Sequence, residues 1–139
     1  TGRQNQDPIR SLLRTQFHVV TPENCMKPAL LQPDEGRFTF EAADALVEFA
    51  EANQKKLVGH TLVWHNQTPD WFFKNENGDK ASRDAVLERL RVHISTVVGR
   101  YKGRILGWDV VNEAISDKKE EFLRPQSPWV QCVGEDYIE

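Results

Sequence analysis

At 139 residues, 39% hydrophobic and 28% charged, the chain is long enough for one domain with its own core. Its 18 basic and 21 acidic residues give a net charge of −3 and a pI near 5.8, with no basic patch, which argues against nucleic acid as a partner. No apolar run approaches the roughly 18 residues of a membrane span, so no membrane partner is expected. No secretory leader is visible, and the opening Thr1-Gly2-Arg3-Gln4-Asn5 reads as the interior of a longer sequence. Cys25 and Cys132 form no CxxC or CxxH cluster and point to neither a metal nor a redox compartment.

In chain order, Ile9, Leu12 and Leu13 predict a short amphipathic helix over residues 7–16. Residues 17–21, Phe-His-Val-Val-Thr, predict a strand that Pro22 stops. Glu23, Asn24 and Lys27 open a long loop that runs to Phe40. A helix is expected over 41–53, with Ala42, Leu46, Phe49 and Ala50 as its buried stripe and Asn53 as a left-handed stop. Residues 57–65 predict the next strand, with Val58, His60, Leu62 and Trp64 on one face and His65 on the other. A second long loop, 66–81, holds Gln67, Pro69 and Trp71. Ser82 is a good N-cap, Asp84 suits the helix dipole, and Leu87, Leu90, Ile94, Val97, Val98 and Tyr101 mark the cleanest helix of the chain. A strand follows from Ile105 to Glu113, then a third long loop with Pro125, Pro128 and Trp129, and residues 134–139 look like the start of another helix.

Helix-to-strand links are short here, whereas strand-to-helix links are long and carry the polar and aromatic residues that chemistry needs. Alternating helices and apolar strands imply a parallel sheet, in an α/β fold. Function on the loops that follow the strands is the arrangement of the (β/α)8 TIM barrel. An open doubly wound sheet would usually show a glycine-rich phosphate turn, and none is present. A full barrel needs eight strands and roughly 250 residues, so three strands in one domain, 1–139, amount to a partial barrel, about strands 2 to 4. The stretch Gly107-Trp108-Asp109-Val110-Val111-Asn112-Glu113-Ala114 stands out, because an apolar run ends abruptly in an amide and a carboxylate. That is how a strand delivers a reactive acid to a barrel rim. Glu113 reads as the proton donor of a glycosidase, and Asn112 as the group that grips a substrate hydroxyl beside it.

Several motifs resemble glycoside hydrolase family 10, whose members are mostly endo-β-1,4-xylanases. Thr21-Pro22-Glu23-Asn24-Cys25-Met26-Lys27-Pro28 is similar to its second-strand motif. Gly59-His60-Thr61-Leu62-Val63-Trp64-His65-Asn66-Gln67-Thr68-Pro69 resembles its third-strand motif. Trp108-Asp109-Val110-Val111-Asn112-Glu113-Ala114 resembles its fourth-strand acid/base motif, and Ser127-Pro128-Trp129 with Gly134-Glu135-Asp136-Tyr137-Ile138 fits the approach to its fourth helix.

The resemblance implies hydrolysis of internal β-1,4 bonds of xylan with retention, no cofactor and no metal. Glu113 would be the general acid/base, and Asn112 would bind the 2-hydroxyl of the sugar at the cleavage point. His60, Trp64 and Gln67 would line the glycone side, and Glu23, Asn24 and Lys27 would hold the next xylose outward. Retaining glycosidases pair two carboxyl groups about 5–5.5 Å apart. The family's nucleophile lies in a seventh-strand Thr-Glu-Leu/Ile-Asp motif, and no such motif occurs here. The partners implied are therefore xylan or a xylo-oligosaccharide, and the remaining barrel half with the nucleophile, as another chain or a continuation. A polymeric substrate implies a secreted protein, extracellular or periplasmic. The rival readings are a related barrel glycosidase acting on another β-glycan, and a non-catalytic carbohydrate-binding fragment.

Blander readings stand beside these. His60 and His65, one apart in parity, suit no shared metal. His93 lies near its helix's apolar stripe, where a packed or capping histidine is expected. Asp109 shares Glu113's parity, as a support for it or as a structural hydrogen bonder. Trp71 and Trp129 fit sugar platforms or loop anchors equally, Trp108 fits the core, and the run 118–121 fits a solvated loop.

Overall fold

The computed structural model describes residues 8–139. Helix α1 spans Pro8–Gln16, so Asp7 of the expected helix lies outside the described residues. Its register buries no residue fully: Ile9 and Leu12 are exposed, and Leu13 alone packs partly on the core.

Three strands follow, β1 (Val19–Val20), β2 (Lys56–Trp64) and β3 (Gly107–Asn112). They form one parallel sheet in the order β1-β2-β3, joined by helical crossovers. The expected strand over 17–21 shrinks to two residues. Val19 and Val20 pair with Lys56 and Leu57, where β2 begins, and the Lys56 N–H donates to the His18 carbonyl. Pro22 has no N–H to extend the ladder.

Helix α3 (Glu41–Ala52) and helix α4 (Arg83–Arg100) cover one side of the sheet. Between β1 and α3, the expected long loop contains a four-residue helix, α2 (Pro28–Leu31), opened by Pro28 at its first position. The buried side of α3 is Ala43, Val47 and Ala50, with Leu46 and Phe49 partly covered; Ala42 is exposed. Asn53 has φ −110°, so the left-handed stop falls instead on Gln54, φ 54°. Asn53 spends its side chain differently, donating to the carbonyl of Phe49.

Ser82 caps α4 as its sequence requires, accepting the N–H of Ala85 at 3.3 Å. Val86, Leu90, His93 and Val97 form the buried ridge of α4. Arg100 of α4 reaches Asp44 of α3, which also accepts the Tyr101 hydroxyl at 2.9 Å. Arg104 grips Glu51 through two nitrogens. Being largely solvent-exposed, these ion pairs add little stability.

Beyond β3, a loop leads to α5 (Pro128–Cys132) and a 3-10 turn (Glu135–Ile138), of which only the second answers to a helix start that the sequence predicts. The apolar run of β3 is less covered than a central strand would be. Leu106, just before the strand, is 62% and Val110 53% exposed, because among the described residues β3 has a neighbouring strand on one side only. Among the described residues no helix is long and apolar enough to cross a membrane.

Candidate active site

All three strand ends carry the predicted site residues into one region. The pairing of β2 with β3 brings Trp64 opposite Asn112, one residue before Glu113. The register slips between His60 and Val63: three residues of β2 face two of β3. This bulge breaks the alternation that sequence parity assumed. Leu62 is buried together with Thr61 and Val63 instead of following the half-buried His60 and Trp64 with which it was expected to share a face. His65, expected to point away, comes to 3.9 Å from the Glu113 carboxylate.

Glu113 sits just past β3 with φ 51°. A left-handed backbone at a long side chain stores roughly 1–3 kcal/mol of strain, held only when the surroundings over-determine it. Those surroundings are visible. Trp64 Nε1 donates to Oε2 of Glu113 at 2.9 Å, and Arg124 Nε donates to its carbonyl at 2.8 Å. Trp64 is fixed in turn, because its carbonyl accepts both Trp129 Nε1 at 2.9 Å and Thr68 Oγ1 at 2.7 Å. Trp129 is 1% exposed, an anchor beneath the site and not a sugar platform. Gln67 also has a left-handed backbone, φ 48°, so two of the three non-glycine residues with positive φ among the described residues belong to the predicted site. The Gln67 side chain is exposed.

His65 is held below its ordinary value by burial and then by the nearby Arg124 charge. It is therefore neutral near pH 7. Asn66 Nδ2 lies 3.1 Å from Nε2, which makes Nε2 an acceptor, so the approach to Glu113 is a packing contact and not an ion pair. His60 is different. Its Nδ1 lies 2.9 Å from Oδ2 of Asp109, as an N–H donating to a carboxylate, which orients the ring and leaves Nε2 for another partner. Asp109 thus supports His60, one strand across, rather than Glu113.

On the β1 side, Lys27 is only 6% exposed. Its Nζ donates to Asn24 Oδ1 at 3.0 Å and lies 4.7 Å from the Trp64 ring centroid. No carboxylate pairs with it among the described residues. A buried ammonium with one neutral acceptor and one aromatic face has donors left for hydroxyl groups. Glu23 is exposed and makes no hydrogen bond or ion pair among the described residues, and the amide of half-buried Asn112 is equally uncommitted. Glu23, Asn24, Lys27, His60, Trp64, Gln67, Asn112 and Glu113 therefore lie along the strand-end rim. Sequence reading missed His65, whose signal was masked by the bulge, and Arg124, which nothing in its loop distinguishes. Among the described residues no group of three or more His, Cys, Asp and Glu side chains could hold a metal ion.

Residues 1–139 match the family model of glycosyl hydrolase family 10. The chain belongs to that family. As a family 10 chain it is 50% identical over 138 residues to an endo-1,4-beta-xylanase A of Caldicellulosiruptor saccharolyticus, covering 99% of this chain and 40% of that protein. The crystal structure of a xylanase from Paenibacillus barcinonensis superposes with a TM-score of 0.85 at 49% identity, over 92% of this chain and 40% of that one. An intracellular xylanase of Thermoanaerobacterium saccharolyticum, solved as a mutant with xylotriose, gives 0.89 at 46%, over 96% and 43%. The family 10 chain thus spans less than half the length of these relatives. Its three-stranded parallel sheet with outer helices is part of a (β/α)8 barrel.

Proposed function

We propose that this chain supplies the acid/base side of an endo-β-1,4-xylanase active site. The observation that carries this reading is Glu113: a carboxylate at the end of β3, in a strained backbone, with one oxygen held by Trp64 and the uncommitted Asn112 amide beside it. Relatives named as xylanases, one of them solved with xylotriose, support xylan as the substrate class.

In the proposed reaction, Glu113 gives its proton to the glycosidic oxygen as the bond to the anomeric carbon breaks. A second carboxylate, from the remaining barrel half, takes that carbon as a glycosyl ester. Glu113, now ionised, removes a proton from water, which opens the ester with net retention. Trp64 keeps the Glu113 carboxyl from rotating away. Asn112 and His60 Nε2 bind hydroxyls of the sugar at the cleavage point, Gln67 lines the same side, and Lys27, Asn24 and Glu23 hold the next sugar. No cofactor enters any step.

The nucleophile is carried by the remaining half, as a separate polypeptide or a continuation. Residues 1–139 alone are then expected to release no reducing sugar from xylan, and turnover by the purified chain would sink the assignment. In a barrel completed with the other half of a relative, Glu113→Gln should lower kcat on xylan by about 10²–10⁴-fold. An aryl xylobioside whose leaving group needs no protonation should lose much less in its glycosylation step. An equal loss on both substrates would remove the acid role.

The protein acts outside the cell, since xylan is a polymer. The relative described as intracellular shows that family membership does not fix this, so fractionation of the source cells tests it. A second reading, another β-glycan as substrate, is favoured by a relative 48% identical and named an exoglucanase, from Acetivibrio thermocellus. Comparing kcat/KM on xylan and on a β-glucan distinguishes the two.

A further inference from the structure

His93 of α4 has no accessible surface. Its ring stacks on Phe38 at 6.3 Å and meets the edge of Phe72 at 5.6 Å. Nδ1 lies 2.9 Å from Oε1 of Gln32, itself 2% exposed. An amide oxygen only accepts, so Nδ1 carries the hydrogen. Nε2 is then a bare acceptor that no donor reaches among the described residues. This buried bond is the polar link that His93 makes between α4 and the end of α2.

Gln32 is the C-terminal stop of α2. Its N–H donates to the carbonyl of Pro28 at 2.8 Å, and its own carbonyl accepts Trp71 Nε1 at 3.3 Å. A four-residue helix cannot hold itself by internal bonds, so its place is set by what grips its ends. At the other end, the Lys27 carbonyl accepts the N–H groups of Leu30 and Leu31, each at 3.0 Å. Lys27 N–H donates to the Asn24 carbonyl at 2.9 Å. In the middle, Ala29 N–H donates to the carbonyl of Gln67 at 2.8 Å. Lys27, Asn24 and the backbone of Gln67 therefore ride on α2.

We propose that His93 and Gln32 are positioning residues for the sugar-binding end of the site: their buried hydrogen bond fixes α2, and through it Lys27, Asn24 and Gln67. The sugar part of this statement rests on the function proposed above; the positioning does not. His93→Leu keeps the volume buried and removes the bond. His93→Asn places an amide nitrogen where Nδ1 stood and restores it. Gln32→Met breaks the same bond from the other side.

The decisive measurement on the 139-residue chain needs no sugar. The backbone amide resonances of Asn24, Lys27, Ala29 and Gln67 should shift in His93→Leu and in Gln32→Met, and return towards the parent in His93→Asn. Unchanged resonances in a folded variant overturn the proposal, and Gln32→Met decides should His93→Leu fail to fold. Xylotriose binding to the same proteins then tests the consequence. His93→Leu should weaken it about tenfold, and by clearly less in a Lys27→Met background, since side chains acting through one another are not additive. Additive losses would contradict the proposal. A parent chain that binds no xylotriose would count against the proposed function, while the resonances would still decide the positioning.

Discussion

Gly59→Ala is expected to destabilise the fold by about 3 kcal/mol or more, at the upper end of what overpacking a core does. Gly59 is buried in the middle of β2 and faces Trp108 across the ladder. A Cβ there would lie 2.2 Å from Trp108 Cε3 and 2.4 Å from Cζ3, inside the indole. The ring has no cheap retreat, since it packs against the core with the Tyr101 ring 6.4 Å away. The sheet can accept a methyl only by moving strands, and β2 carries His60 and Trp64. Gly107 gives the internal control, because a Cβ there meets nothing within 4 Å. Urea denaturation of the two alanine variants checks the argument. Equal midpoints would show that Trp108 yields easily.

Acid should remove a comparable amount of stability through His93. Burial alone pushes its imidazole down from 6.5 to about 4, with no charged group contributing from α4 or from the Phe38, Phe72 and Gln32 segments packed on it. The folded protein keeps the ring neutral, while the unfolded chain takes up a proton below pH 6.5. The contribution is thus fully present above pH 6.5 and is lost as pH falls towards 4, where the folded state binds the proton as well. The gap between those two values corresponds to roughly 3 kcal/mol. His93→Asn cannot titrate, so the difference in unfolding free energy between parent and variant should change by about one proton's slope between pH 6 and 4.5. Parallel curves for the two proteins would refute the assignment.

Much of the arrangement was legible in the sequence, for identifiable reasons. The stripe of α4 is long enough for periodicity to be decisive, and Ser82 caps it by the bond its position suggests. The place of Glu113 just past the end of β3 was legible because an amide and a carboxylate end an apolar run. The short helices α2 and α5 were not, since four or five residues carry no period, and the proline that opens each also occurs in loops. Alternation along β2 misled at Leu62 and His65 because a bulge inserts a residue, and nothing in Thr61-Leu62-Val63 marks it. Leu106 and Val110 belong to that apolar run yet stay exposed, because among the described residues β3 has a neighbouring strand on one side only. Helix α3 was placed correctly and Ala50 of its predicted stripe is buried, with Leu46 and Phe49 partly covered, but at the first position Ala43 is buried and Ala42 is exposed: the two are equivalent in hydrophobicity, and packing on the sheet selects Ala43.

In the proposed enzyme, one catalytic carboxylate lies on this chain and the other on the rest of the barrel. The direct measurement is to complete the barrel with a separate polypeptide carrying the second half of a relative, and to trap the glycosyl ester with a 2-deoxy-2-fluoro xylobioside. Each polypeptide is then weighed intact under denaturing conditions. One fluoro-xylobiosyl group is expected on the complementing polypeptide and none on residues 1–139. A label on the 139-residue chain, at Glu23, Asp109 or Glu113, would contradict it, because the nucleophile would then lie here and Glu113 could not be assigned as the acid by default.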